Sequence, residues 1–175
     1  LGVSQRLMTK ALEKYTQIEA DEIALKLMGD WDPQSVSFES LVLAENSEAK
    51  EAKPYPFYLA YALEGDFSTL GEVNQWAIEH KWDGIRAQLV YRNESVYLWS
   101  RGEELINAQF PELLSLGPLL PKSCVLDGEL LAFDHKKPLP FSALQKRLGR
   151  KKSSEKLRAE IPVVFMAYDL LEYEG

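Results

Sequence analysis

Cysteine is nearly missing from this sequence, with one, Cys124, in 175 residues. That excludes a disulfide framework and any cysteine-based zinc site. No apolar run approaches the roughly 18 residues a membrane span needs. The start has no basic stretch leading into an apolar core, so no signal peptide is read. Glycine (10) and proline (9) are too few for a collagen-like or low-complexity chain. Basic residues are outnumbered, 20 Lys and Arg against 27 Asp and Glu, for a net charge of −7. The total alone argues against a polyanionic partner. A reduced, cytoplasmic protein that engages no membrane is expected.

What is present changes part of that picture. Hydrophobic residues make up 46% and charged residues 27%, enough apolar material for a packed core. Between Lys136 and Arg158 stand nine basic residues and one acidic one, a local +8 inside an acidic chain. Local charge decides where a polyanion sits, so this segment is the candidate contact. The length allows one medium domain, or one domain with a piece of another. Leu1 at the start and Glu174-Gly175 directly after an apolar segment read as the ends of a fragment.

Three regions follow from periodicity. Residues 1–43 read as helical, with Leu7, Ala11, Leu12 and Tyr15 on one stripe and Ile23, Ala24, Leu27 and Met28 on the next. Asp21 is expected to cap the second helix and Gly29 to end it. Phe38, Leu41 and Val42 suggest a further short helix. Residues 44–56 read as a linker, polar and aperiodic until Pro54 and Pro56 open an extended stretch. From Val73 the period becomes two. Strands are expected around Trp76–His80, from Ile85 to Tyr91, Val96 to Ser100, Val125 to Phe133 and Val163 to Leu171, with turns at Asp83-Gly84 and Asn93-Glu94. Phe141, Leu144 and Leu148 mark a helix with a basic opposite face. The fold class is therefore α+β: a helical piece, then a largely antiparallel sheet domain over 57–175.

Four short segments carry polar groups where chemistry would need them. In Glu79-His80-Lys81-Trp82-Asp83-Gly84-Ile85-Arg86, a strand would point Glu79 and Lys81 to one face, and the Asp-Gly turn would bring Arg86 alongside. Free lysine, with a pKa of about 10.4, is protonated at neutral pH, so a nucleophilic Lys81 needs neighbouring cations to lower it. The competing reading is a solvated surface hairpin. Ser100-Arg101-Gly102-Glu103 ends a strand, and Arg101 either approaches a phosphate or ribose or makes a local ion pair. Asp127 and Glu129 share one face of an apolar strand, Val125-Leu126-Asp127-Gly128-Glu129-Leu130, where a metal or a structural ion pair must offset their burial. Tyr168, in Phe165-Met166-Ala167-Tyr168-Asp169-Leu170, either stacks on a base or belongs to the core.

Taken in order, Glu-x-Lys-x-Asp-Gly-x-Arg, Ser-Arg-Gly, Asp-Gly-Glu and Tyr-Asp-Leu resemble the motifs of covalent nucleotidyltransferases, specifically the ATP-dependent DNA ligases. The segment Phe141-Ser142-Ala143-Leu144-Gln145-Lys146-Arg147-Leu148-Gly149-Arg150 is similar to the basic helix after the third motif in bacterial members. The N-terminal residues, including Leu27-Met28-Gly29-Asp30-Trp31, are similar to the tail of the helical DNA-binding domain that precedes the catalytic one. The resemblance spans nearly the whole chain. It implies residues 1–43 as the end of that helical domain, 44–56 as linker and 57–175 as the first part of an adenylation domain of ATP-grasp-like type. The remaining motifs and the OB-fold domain would lie beyond Gly175.

The same resemblance implies roles. Lys81 would be the adenylated nucleophile. Glu79 would face the adenine, Arg86 the ribose or terminal phosphates, Arg101 the sugar, and Glu129 the ribose or a Mg²⁺ ion. Tyr168 would stack on the adenine, where the family usually has Phe. Lys146, Arg147, Arg150, Lys151 and Lys152 would face DNA phosphates. The implied substrates are ATP and a nicked duplex, and the implied protein is a monomeric, cytoplasmic, nucleoid-associated enzyme, of which residues 1–175 alone would not seal a nick. The same lysine chemistry on RNA, as in RNA ligases and capping guanylyltransferases, or a non-enzymatic nucleotide- or DNA-binding module, are the alternatives.

Overall fold

A computed structural model describes residues 3, 5–27, 33–44, 52–58, 60–102, 104–121, 123–134, 136–148, 150 and 152–174. Its centre is a four-stranded antiparallel sheet of order β2-β1-β3-β4, built from β1 (Ile85–Arg92), β2 (Ser95–Ser100), β3 (Cys124–Ala132) and β4 (Val163–Tyr173). The fold is α+β. Apolar side chains on both faces of β1, β2 and β3 make this a sheet covered on two sides. Ala87, Leu89, Val96, Leu98, Leu130 and Ala132 face one core, with Phe110, Leu113, Leu144 and Ile161 packed over them. Val90, Tyr97, Trp99 and Val125 face the other, against Ala24, Leu25 and Ala52.

The first core is roofed by a 3₁₀ segment, Pro111–Leu119, and by helix α3 (Phe141–Leu148). Neither the 3₁₀ segment nor the short helix α4 (Glu155–Glu160) is evident from periodicity. Helix α4 is announced only by Ser154, whose hydroxyl caps it by accepting the Leu157 N–H. Over the second core lies α2 (Ala20–Lys26), through Ala24 and Leu25; α1 (Gln5–Thr16) packs on α2, and a five-residue π-helix follows at Glu39–Leu43. Asp21 does not cap α2. Glu19 holds the N-cap position and Asp21 sits inside the first turn, its carboxylate accepting the Glu22 N–H. Gly29 lies outside the described residues.

Two other expectations are corrected. No strand forms at Trp76–His80: Val73–Gln75 is a 3₁₀ turn and residues 76–83 have no regular structure. The alternation there has no buried face to serve, since Val73, Trp76 and Ile78 are all exposed, and the Trp76 indole N–H donates back to the Leu70 carbonyl at 2.6 Å. Asp83-Gly84 consequently turns no hairpin; the chain runs through it into β1. Residues 52–58, which take in the described end of the expected linker, lie fastened along the sheet. No helix among the described residues is long and apolar enough to cross a membrane.

Candidate active site

At the end of the sheet where β1 begins, a cleft of about 990 Å³ opens. Glu79, Lys81, Arg86, Arg101, Glu129 and Tyr168 all line it. They come from four separate stretches of sequence, and sheet register explains how three of those meet. Arg86 on β1 stands opposite Glu129 on β3. The hairpin end after β2 brings Arg101 beside β1, its N–H donating to the Arg86 carbonyl at 3.0 Å.

Tyr168 arrives by a different device. Asp127 pairs with Asp169 and Gly128 with Ala167, so Tyr168 is the extra residue of a β-bulge. A bulge re-aims a side chain out of strict alternation. Tyr168 is 39% exposed rather than part of the core. Its hydroxyl donates to Asp127 Oδ1 at 3.4 Å. Burial and the neighbouring Asp127 charge push the phenol up to about 12, so it stays protonated at any physiological pH.

The loop that carries Lys81 is held by its glycine. A Cβ on Gly84 would stand 2.3 Å from the Leu130 carbonyl oxygen and 2.7 Å from Leu131 Cδ2. Only glycine allows this loop to lie so close against β3. Its N–H then donates to Glu129 Oε1 at 3.1 Å. Lys81 itself is exposed into the cleft, and His80 and Trp82 pack on each other at 4.3 Å between ring centroids.

Sequence reasoning treated Asp127 as one of two costly carboxylates and assigned it no role. The structure pairs it with Arg86: Nη2 lies 2.9 Å from Oδ2 and Nε 3.2 Å from Oδ1, with Asp127 almost fully buried. That bidentate bond holds the guanidinium firmly charged. The signal was available, since an acid on an apolar strand needs a cation. Gln88 was missed altogether; a lone amide inside the apolar run Ile85–Tyr91 is its only mark.

Glu129 is half-buried, and burial raises its carboxyl above the ordinary range against the pull of the Gly84 N–H and of Lys81, Arg86 and Arg101. The folded protein thus binds this proton more tightly than the unfolded chain. The penalty is absent below the unfolded pKa and grows as pH rises through the folded one. Glu129→Gln keeps an acceptor for Gly84 and removes the charge. At pH 7 it is expected to raise the melting temperature. The difference should vanish near pH 4 or below, about where a free glutamate protonates. Thermal melts at the two pH values check this, and an equal shift at both would contradict it.

The basic segment divides. Lys146, Arg150 and Lys152 are exposed, and Lys151 lies outside the described residues. Arg147 does not face outward and is corrected as a phosphate contact. It is fully buried, bound to Glu112 at 2.5 and 2.9 Å, to the Gln109 carbonyl at 2.6 Å and to the Ile161 carbonyl at 3.1 Å. The Phe110 ring lies beneath it, 4.7 Å from centroid to guanidinium carbon. On α3, Lys146 stands opposite the apolar stripe of Phe141, Leu144 and Leu148, whereas Arg147 stands at its border.

A family model described as "ATP dependent DNA ligase domain" matches residues 59–175. The chain belongs to the ATP-dependent DNA ligase family. A probable DNA ligase of Koribacter versatilis is 34% identical over 182 residues, which takes in 100% of this chain and 31% of that protein. A probable DNA ligase of Opitutus terrae is 48% identical over 99 residues, 56% of this chain and 10% of that protein. A solved structure titled "mycobacterial DNA ligase D complexed with ATP and MES" is 34% identical, with a TM-score of 0.44, covering 55% of this chain and 29% of that one. This ligase-family chain thus spans about a third or less of each of these proteins.

Proposed function

We propose that the full-length protein seals nicks in duplex DNA, and that Lys81 is its covalent nucleophile. The observation that carries this reading is the convergence of Glu79, Lys81, Arg86, Arg101, Glu129 and Tyr168 on one cleft. In this reading residues 1–43 end a helical DNA-binding domain, 44–56 connect, and 57–175 begin the adenylation domain. The Lys81 amine, deprotonated, attacks the α-phosphorus of ATP; a P–N bond forms, the bond to pyrophosphate breaks, and a lysine–AMP phosphoramide remains. The adenylyl group passes to the 5′-phosphate of a nick, and the 3′-hydroxyl then displaces AMP.

Each side chain has a fitting place. The exposed Tyr168 ring supports stacking on adenine, with Glu79 facing the base edge. Arg86 spends three of its five N–H donors on Asp127 and Tyr58 and keeps others for ribose or phosphate. Arg101 reaches the sugar from the β2 end. A divalent cation is implied by phosphoryl transfer. Among the described residues no three His, Cys, Asp or Glu side chains gather. One carboxylate completed by substrate phosphates is an ordinary Mg²⁺ site, and Glu129, whose other oxygen binds Gly84, fits that role. When bound, the ion neutralises phosphate charge.

The exposed Lys146, Arg150 and Lys152, with Lys151, are proposed to lie on DNA phosphates. Replacing Lys146, Arg150 and Lys152 by Gln is expected to flatten the log–log salt dependence of duplex binding by up to roughly 0.9 per lost phosphate contact. Lysine–AMP formation should continue. Fluorescence anisotropy across a salt series measures the slope, and an unchanged slope would make this a solvated face. The function as a whole is tested by incubating the full-length protein with ATP, Mg²⁺ and a nicked duplex. Joined strands on a denaturing gel are expected, and none would overturn the reading.

A further inference from the structure

Residues 52–58 cross the second face of the sheet without being a strand, yet side chains of β1 and β2 hold them at four points. The Trp99 indole N–H donates to the Ala52 carbonyl at 2.8 Å, and Arg92 Nη1 to the Lys53 carbonyl at 3.1 Å. Gln88 takes both backbone groups of Tyr55: its Oε1 accepts the N–H at 2.8 Å and its Nε2 donates to the carbonyl at 3.0 Å. Arg86 Nη1 donates to the Tyr58 carbonyl. Arg86, Gln88 and Arg92 are even-numbered residues of one strand, so they project to the same face. Their side chains replace the ladder that a neighbouring backbone would supply.

Only the last anchor also belongs to the cleft. Arg86 is gripped by Asp127 on one side and by the strap's Tyr58 carbonyl on the other, with the Phe57 ring 5.8 Å from its guanidinium carbon. Gln88 is the nearest anchor upstream and is fully buried. Without it, the Tyr55 N–H and carbonyl would be left unpaired in a half-buried setting, which a backbone avoids by moving toward water. Lifting the strap there withdraws Tyr58 from Arg86.

We propose that Gln88 is a positioning residue that holds Arg86 in the nucleotide cleft by pinning the 52–58 strap. The proposal rests on the ligase reading above for its activity readout, but its geometry can be tested alone. The experiment uses the full-length protein in four forms: wild type, Gln88→Met, Arg86→Ala and the double variant. Covalent labelling by α-labelled ATP is followed at subsaturating nucleotide. Gln88→Met is expected to slow labelling roughly 10–100-fold, the range that misplacement of a binding group produces. In the Arg86→Ala background the same substitution should add little, because the group it positions is gone. An equal fold-loss in both backgrounds, no loss in either, or full labelling by Arg86→Ala would overturn the proposal.

The second readout needs no ligase activity. The Arg86 Nη1–H signal, observed by NMR at low temperature, should exchange with water faster in Gln88→Met than in wild type, because Nη1 is the donor that Tyr58 holds. Should wild type take no label at all, the functional reading fails and this readout decides; unchanged exchange overturns the positioning role. If Gln88→Met does not fold, Tyr55→Pro removes the N–H that Gln88 accepts. Tyr55→Phe is its control, because it loses only the hydroxyl bound to Glu172.

Discussion

Lys81→Ala in the full-length protein is expected to abolish covalent labelling by α-labelled ATP while leaving the fold intact. The amine is the only group at this position that can form a P–N bond, so no residual rate is expected from a methyl group. Lys81 is exposed and makes no core contact, and exposed substitutions of this kind change stability by about 0.5 kcal/mol or less. The loop that presents it is held by Gly84 on Glu129, not by the lysine itself. Lys81→Arg should fail equally, because a guanidinium stays protonated and cannot attack. Labelled protein on a denaturing gel, beside unchanged thermal melts, is the measurement. Label on either variant would remove Lys81 from its role.

The second large effect is on stability. Arg147→Ala is expected to cost about 3–5 kcal/mol, the usual result of breaking a buried pair. That is a large part of the roughly 5–15 kcal/mol that holds a domain together. Three groups lose their partner at once: Glu112 and the carbonyls of Gln109 and Ile161. Glu112 is partly exposed and can turn to water, so the carbonyls carry much of the loss. Arg147→Met with Glu112→Leu, which replaces the pair by apolar groups, should recover part of it. Lys146→Gln, one residue away but exposed, should stay within about 0.5 kcal/mol of wild type. Urea unfolding of the four proteins checks the order. Arg147→Ala as stable as Lys146→Gln would contradict the buried network.

The contrast between those neighbours shows what a sequence can and cannot say. Charge counting placed both in one basic face, because it registers residue type and not helical angle. Periodicity worked where a face is truly buried, as in β1, β2 and β3, and also found the partly buried β4; all four ranges fall within two residues of expectation. It failed at Trp76–His80, where apolar residues alternate with nothing to pack against. The six candidate residues stood out as motifs, and the structure brings them to one cleft. How they meet was not. Tyr168 reaches the cleft through a bulge, and Gly84 serves close packing rather than a turn. Gln88 and the 52–58 strap depend on contacts 33 residues apart in sequence, which no local pattern encodes.

The most direct test of the central claim is to locate the adenylyl group. The full-length protein would be incubated with ATP and Mg²⁺, kept from acid to preserve the P–N bond, digested, and its peptides sequenced by tandem mass spectrometry. One adenylyl group on Lys81, in the segment Glu79-His80-Lys81-Trp82-Asp83-Gly84, is the predicted result. An adenylyl group on another lysine, or none under conditions in which the protein joins a nick, would contradict the account.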